Sequence, residues 1–222
     1  MHALSRLVIC ALCAAPLLGC SSDPQTQKQL SALPLMRKSA PEPAAAFLAA
    51  HKAGAPPVIA VQETRPEVIA VFLRQALSDR SGVGTWITAD GSQLMFEDGI
   101  VVGTRGFGAD LMASDVSDVL PLVQGMGDGI ATHLMTQIDG DDHAVTRAFK
   151  CRISRAGIDS VVIGTTPVST QTMVEDCRGS DTSFANYYWV VPATGEIVQS
   201  SQWAGPLIER VSVRKIIIPA EQ

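Results

Sequence analysis

DGSQLMFEDGIVVGTRGFGADL, residues Asp90 to Leu111, is the stretch whose reading decides the fold. Two strand-like runs, Gln93–Phe96 and Ile100–Thr104, stand either side of Glu97-Asp98-Gly99. An Asp-Gly step between β-rich runs predicts a tight hairpin, because both residues accept the backbone conformations the turn requires. The second run enters Arg105-Gly106-Phe107-Gly108-Ala109-Asp110-Leu111, where two glycines permit a sharp change of direction. Gly106 and Gly108 invite a nucleotide-binding reading, which fails because no third glycine follows at dinucleotide spacing and no P-loop lysine is present. The glycines therefore serve backbone geometry. Arg105 and Asp110 are expected to pair across the loop, or else to form a polar patch for glycan hydroxyls or a partner.

Upstream of this hairpin, β-branched runs at Val58–Gln62 and Val68–Leu73 and a strand from Thr85 to Thr88 make a meander of short antiparallel strands. Trp86 is read as a core or sheet-face aromatic, with sugar stacking as its alternative. Downstream, Ser114–Leu122 predicts a helical turn or two, capped by Ser114 or Asp115. Gly125, Gly127 and Gly129 form a joint, so a boundary near 115–129 is expected if the fold has two lobes. Residues 130–138 alternate with period two, and Val145, Arg147, Phe149, Cys151 and Ile153 alternate on the return. The acidic turn at Asp139–Asp142 lacks the closing glutamate of a calcium loop and reads as a hairpin tip. His133 and His143 flank that hairpin without a nearby nucleophile motif, and no G-x-S-x-G occurs. Ile158–Gly164 and Gln171–Cys177 read as two further strands separated by Thr165-Thr166-Pro167. Phe184–Val191, Glu196–Trp203 and Leu207–Ile218 complete the chain. The predicted class is mainly β: an antiparallel meander with sandwich- or barrel-like sheets and little helix.

The amino end reads as an export leader over residues 1–19. One basic residue, Arg6, precedes an apolar run from Leu7 to Leu18 that is short of the roughly 20 residues a spanning helix needs. Leu17-Leu18-Gly19-Cys20 resembles the lipobox of bacterial lipoproteins, which implies lipid attachment at Cys20 and a membrane-anchored mature chain. Ser21, rather than an acid, follows the lipid-bearing cysteine, the pattern associated with outer-membrane sorting in enterobacterial lipoproteins, with inner-membrane retention as the alternative. Residues 20–57, rich in Ser, Gln, Ala and Pro, read as a tether to a β-rich domain over 58–222; Ala44–Lys52 could form a short helix there, with His51 solvent-exposed.

Lys and Arg number 17 against 22 Asp and Glu, a formal charge of −5, and loss of Arg6 with the leader makes the balance more negative. That argues against nucleic acid as a partner. Cys10 and Cys13 leave with the leader and Cys20 carries lipid, so Cys151 and Cys177 remain as an even pair. In an oxidising compartment they are expected to form a disulfide rather than two buried thiols. No cofactor or metal site is expected, since neither cysteine has a His or Cys at ligand spacing.

TRGFGADL after the hairpin resembles the YjbF/GfcB family of group 4 capsule and exopolysaccharide lipoproteins. YYWVVPATGEIVQSSQWAGP, with Trp203 near its end, is similar to that family's sequence of aromatic strand, P-x-T-G turn and Q-W-x-G-P. Val191 departs from the Asp expected before the proline. The resemblance implies an outer-membrane lipoprotein on the periplasmic face that assists capsule or exopolysaccharide export or assembly. It implies a non-enzymatic scaffold or binding module, with polysaccharide or polysaccharide-export proteins as partners. The candidate motif is Arg105, Gly106, Gly108, Asp110 and Trp203, with no catalytic residue. The alternative is a glycan-modifying enzyme, a hydrolase or deacetylase, drawing paired carboxylates from Asp90, Asp98 and Asp110.

Overall fold

The computed structural model describes residues 58–62, 65–74, 82–138, 141 and 143–216. Cys20, the tether and the Ala44–Lys52 segment with His51 lie outside these residues, as does most of the Asp139–Asp142 turn. The hairpin at the heart of the sequence forms as its residues dictate. Strand β4 (Gln93–Glu97) pairs antiparallel with β5 (Ile100–Arg105), and Glu97 opposes Ile100 across a two-residue turn. Asp98 and Gly99 both take positive φ, 45° and 97°, as the mirror-image hairpin turn demands.

The remaining strands are β1 (Val58–Gln62), β2 (Arg65–Arg74), β3 (Val83–Ile87), β6 (Leu111–Asp115), β7 (Gly129–Ile138), β8 (Ala144–Ile163), β9 (Thr166–Arg178), β10 (Ser183–Val190), β11 (Ile197–Gly205) and β12 (Glu209–Lys215). They make one antiparallel sheet in the order β5-β4-β3-β2-β1-β12-β11-β10-β9-β8-β7-β6. Only one short helix, α1 (Val119–Gln124), is present among the described residues. The protein is mainly β, as the alternation predicts. Along β7 the inward set is Ala131, His133, Met135 and Gln137; along β10 it is Phe184, Asn186, Tyr188 and Val190.

Two local expectations are corrected. Ser114 and Asp115 do not cap a helix: they belong to β6, which pairs with β7, and the helix starts later, after Asp118. Pro121 then falls in the first turn, where its missing N–H has no intrahelical acceptor to lose. Ile158–Gly164 is no separate strand either. It continues β8, which runs 20 residues through a register shift between Arg155 and Gly157. The turn is Gly164-Thr165, and Pro167 lies inside β9. There β9 pairs with β8 alone, since β10 joins it only from Gln171 onward, so a residue without N–H is accommodated on the open side.

The sheet's two end strands, β5 and β6, are consecutive in the chain and joined by the Arg105–Asp110 loop. The sheet curls until β5 meets β11, and Gln202 of β11 is fully buried at that meeting. The Val101 N–H donates to Gln202 Oε1 at 2.9 Å, while Gln202 Nε2 donates to the Gly99 carbonyl at 3.1 Å. One amide thus stands in for a neighbouring strand. Gln137 of β7 reaches the same strand, its Nε2 donating to the Ala204 carbonyl at 3.1 Å. Gln202→Leu keeps the volume and strands both backbone groups, so urea unfolding should show a loss of about 2–4 kcal/mol, at roughly 1–3 kcal/mol per unsatisfied buried group. A loss below about 0.5 kcal/mol would show that water takes the place of the amide.

Candidate functional site

Three places collect polar chemistry: the loop that joins the sheet ends, a buried centre around Glu175, and a cavity beside the hairpin tip.

In the loop, Asp110 organises the backbone. Its carboxylate accepts from the Gly106 N–H at 2.9 Å, the Phe107 N–H at 3.1 Å and the Thr104 hydroxyl at 2.8 Å. Arg105 turns elsewhere: Nη1 donates to the carbonyls of Thr104 at 2.6 Å and Leu111 at 3.3 Å, tying the end of β5 to the start of β6. The expected Arg105–Asp110 pairing is absent from the ion pairs of the described residues; each side chain serves the backbone instead. Gly106 and Gly108 hold φ of 88° and 109°, a region costly for any residue with a Cβ. Trp203 packs inward, stacked on Phe184 with ring centroids 4.5 Å apart.

Glu175 is completely buried on β9. Its Oε1 lies 2.7 Å from His133 Nδ1, and its Oε2 accepts from Tyr188 at 2.7 Å and from Asn186 Nδ2 at 2.8 Å. Burial pushes the carboxyl up, but the hydrogen bond and charge of His133, with the bonds from Tyr188 and Asn186, outweigh it and hold Glu175 below its ordinary value. Burial and the adjacent carboxylate push the Tyr188 hydroxyl well up. Beside this centre Cys151 and Cys177 oppose each other directly across β8 and β9 and form a disulfide, with Glu175 Oε1 3.2 Å from Cys177 Sγ.

Ser114 completes a chain that sequence spacing hides, its Oγ lying 2.7 Å from His133 Nε2. Ser–His–Glu at these distances has the outline of an activated nucleophile. However, Ser114 Oγ also donates to the Leu134 carbonyl at 3.0 Å, which leaves it to accept from the imidazole. A serine so engaged is not poised for attack. His133, Glu175, Cys151 and Cys177 also bring ligand-type atoms within 4.8 Å of one another. With the sulfurs bonded to each other they offer no thiolate, and the four side chains pack as a buried lock between β7, β8 and β9.

The carboxylates of the enzymatic alternative have separate duties. Asp90 is held below the ordinary range by the Thr88 hydroxyl and the Ser92 N–H. Asp98 sits at the other end of the hairpin from Asp90 and Asp110, across five strand residues, or roughly 16 Å. That exceeds the roughly 5–9.5 Å between paired glycosidase carboxylates.

The cavity has a volume of about 420 Å³. Its walls are the hairpin tip Asp98-Gly99, the C-terminal end of α1 at Gln124, the turn around Gly195 and the end of β12 at Lys215; β11 residues from Ile197 to Ser200 also line it. Trp86 faces it, its ring set edge-on to Phe96 with centroids 5.1 Å apart. Lys215 is paired with Glu196. Of these residues the sequence points to Trp86 and Asp98 as candidate side chains and to Gly99 and Gly195 only as turn glycines.

No curated protein matches this chain. Among solved structures it is similar to the hypothetical lipoprotein YmcC from Escherichia coli (K12), with a TM-score of 0.64 at 18% identity over 79% of this chain and 91% of that one; at this identity the likeness is one of fold. The family model for the group 4 capsule polysaccharide lipoprotein gfcB, YjbF, matches residues 44–215, nearly the whole β body and the segment that leads into it. The chain belongs to the YjbF family of group 4 capsule polysaccharide lipoproteins.

Proposed function

We propose that this protein is an outer-membrane lipoprotein, anchored through Cys20 and facing the periplasm, that assists export or assembly of capsule or exopolysaccharide without catalysing a reaction. The observation that carries this reading is the family match over 44–215, preceded in the same chain by LLGC at 17–20. A lipid anchor, a tether and a β body suit a module that holds a polysaccharide or an export partner near the membrane. The geometry favours binding over turnover: Ser114 donates its hydroxyl hydrogen bond to a backbone carbonyl, and Asp98 stands far from the other two candidate carboxylates.

Deletion of the gene should abolish or sharply reduce secreted polysaccharide, and the wild-type chain should restore it. Normal secretion in the deletion strain would overturn the reading. Cys20→Ser should yield an unprocessed or soluble periplasmic form that leaves the outer-membrane fraction. The lipid anchor is disproved if that variant is cleaved at the same site and still sediments with outer membranes.

A further inference from the structure

We propose that the cavity between the β4–β5 hairpin tip and β11 is a glycan subsite selective for neutral or amine-bearing sugar residues over uronate-bearing ones. The inference rests on the polysaccharide reading above and adds to it a place and a ligand chemistry.

The cavity is built rather than incidental. Gly99 lets the hairpin tip lie against β11, since a Cβ there would stand 2.7 Å from Ile197 Cβ. Gly195 lets the turn press on α1, where a Cβ would stand 3.1 Å from the Gln124 carbonyl oxygen. Both glycines have positive φ, 97° and 73°, so neither approach tolerates a side chain. The turn is closed by Gly195 N–H donating to the Val191 carbonyl at 2.9 Å and Val191 N–H donating to the Glu196 carbonyl at 2.8 Å. The walls are therefore preformed, and a ligand need not order them on binding. The volume of about 420 Å³ lies within the roughly 300–1,000 Å³ of small-ligand sites.

The lining matches a sugar ring on both of its aspects. A pyranose offers C–H faces to apolar surface and hydroxyls that donate and accept at its rim. Trp86 and Phe96 supply aromatic surface, Gln124 supplies an amide able to do both, and Gln199, whose Oε1 accepts from Arg214 Nε, supplies its NH2 donors. Charge then sets the class. The lining holds two carboxylates, Asp98 and Glu196, against one ammonium, Lys215, which is engaged by Glu196. Asp98, exposed at the rim, remains as the uncompensated charge of the lining. It disfavours a uronate carboxylate by like-charge repulsion and favours a protonated amine.

The test is calorimetric titration of the purified lipoprotein in detergent, at low salt and slightly acid pH, with oligomers of glucosamine, of N-acetylglucosamine and of galacturonic acid. The glucosamine oligomer should bind tightest, the N-acetylated one more weakly, and the uronate oligomer not measurably. Asp98→Asn should erase the difference between the first two. Trp86→Ala should weaken both by about tenfold. Gln199→Ala, whose side chain is half-exposed, should weaken them with an unchanged melting temperature, which separates binding from folding. Uronate binding equal to or tighter than the others would overturn the proposal, as would an undiminished amine preference in Asp98→Asn. If no oligomer binds while gene deletion still abolishes secretion, the subsite falls and the lipoprotein reading stands. If secretion survives deletion, that reading itself has failed.

Discussion

Glu175→Ala should lower the unfolding free energy by about 3–5 kcal/mol, the range for removing one partner of a buried charged pair. The variant deprives three buried groups at once of their acceptor: His133 Nδ1, the Tyr188 hydroxyl and Asn186 Nδ2. All three are buried, so each lost bond leaves a desolvated donor. Acid should reproduce part of the effect in the wild type. The folded carboxyl titrates below its ordinary 4.5, so the native state takes up a proton less readily than the unfolded chain. Its contribution is therefore complete above about 4.5 and drains away as pH falls through the folded value. Urea unfolding at pH 7 and at about pH 3 should show this loss, and Glu175→Gln should remove that share of the acid sensitivity. A Glu175→Ala change below about 1 kcal/mol would mean that the network is dispensable.

Breaking the disulfide should cost about 3 kcal/mol. Cys151 and Cys177 are separated by 26 residues, and freeing a loop of that size restores its conformational entropy to the unfolded chain. Wild-type protein should unfold at lower urea under reduction, while a Cys151→Ala/Cys177→Ala variant should be insensitive to reductant. Equal stability with and without reductant would rule out a stabilising bond. Because Glu175 touches Cys177 Sγ, the losses in a triple variant should not add.

The sequence showed the β class because alternation and the Asp98-Gly99 turn are local signals. It also carried a signal for the buried centre. Met173, Glu175 and Cys177 share one parity on β9, and all three are buried. Period two therefore places the glutamate on the inward face, although its charge reads as exposure. His133 shares the inward parity of Ala131 and Met135 in the same way. What no local pattern discloses is that β6 brings Ser114 to His133, 19 residues away, since that depends on which strands pair. The length of β8 was masked for a different reason. The alternation ends at Ile153 and resumes at Ile158, but a bulge absorbs the break while the ladder with β9 continues. The cavity was illegible because its walls come from six separated segments.

The amide of Gln202 bears on how copies of this protein behave side by side. An open strand edge is a template for another chain, and members of a lipoprotein family are concentrated in two dimensions at a membrane surface, where encounters are frequent. Where β5 begins, the N–H of Val101 and the carbonyl of the turn residue Gly99 are both taken by a side chain of the same molecule. A neighbouring strand would have to displace the amide to pair with these groups. A single glutamine thus guards against edge-to-edge aggregation without adding a strand.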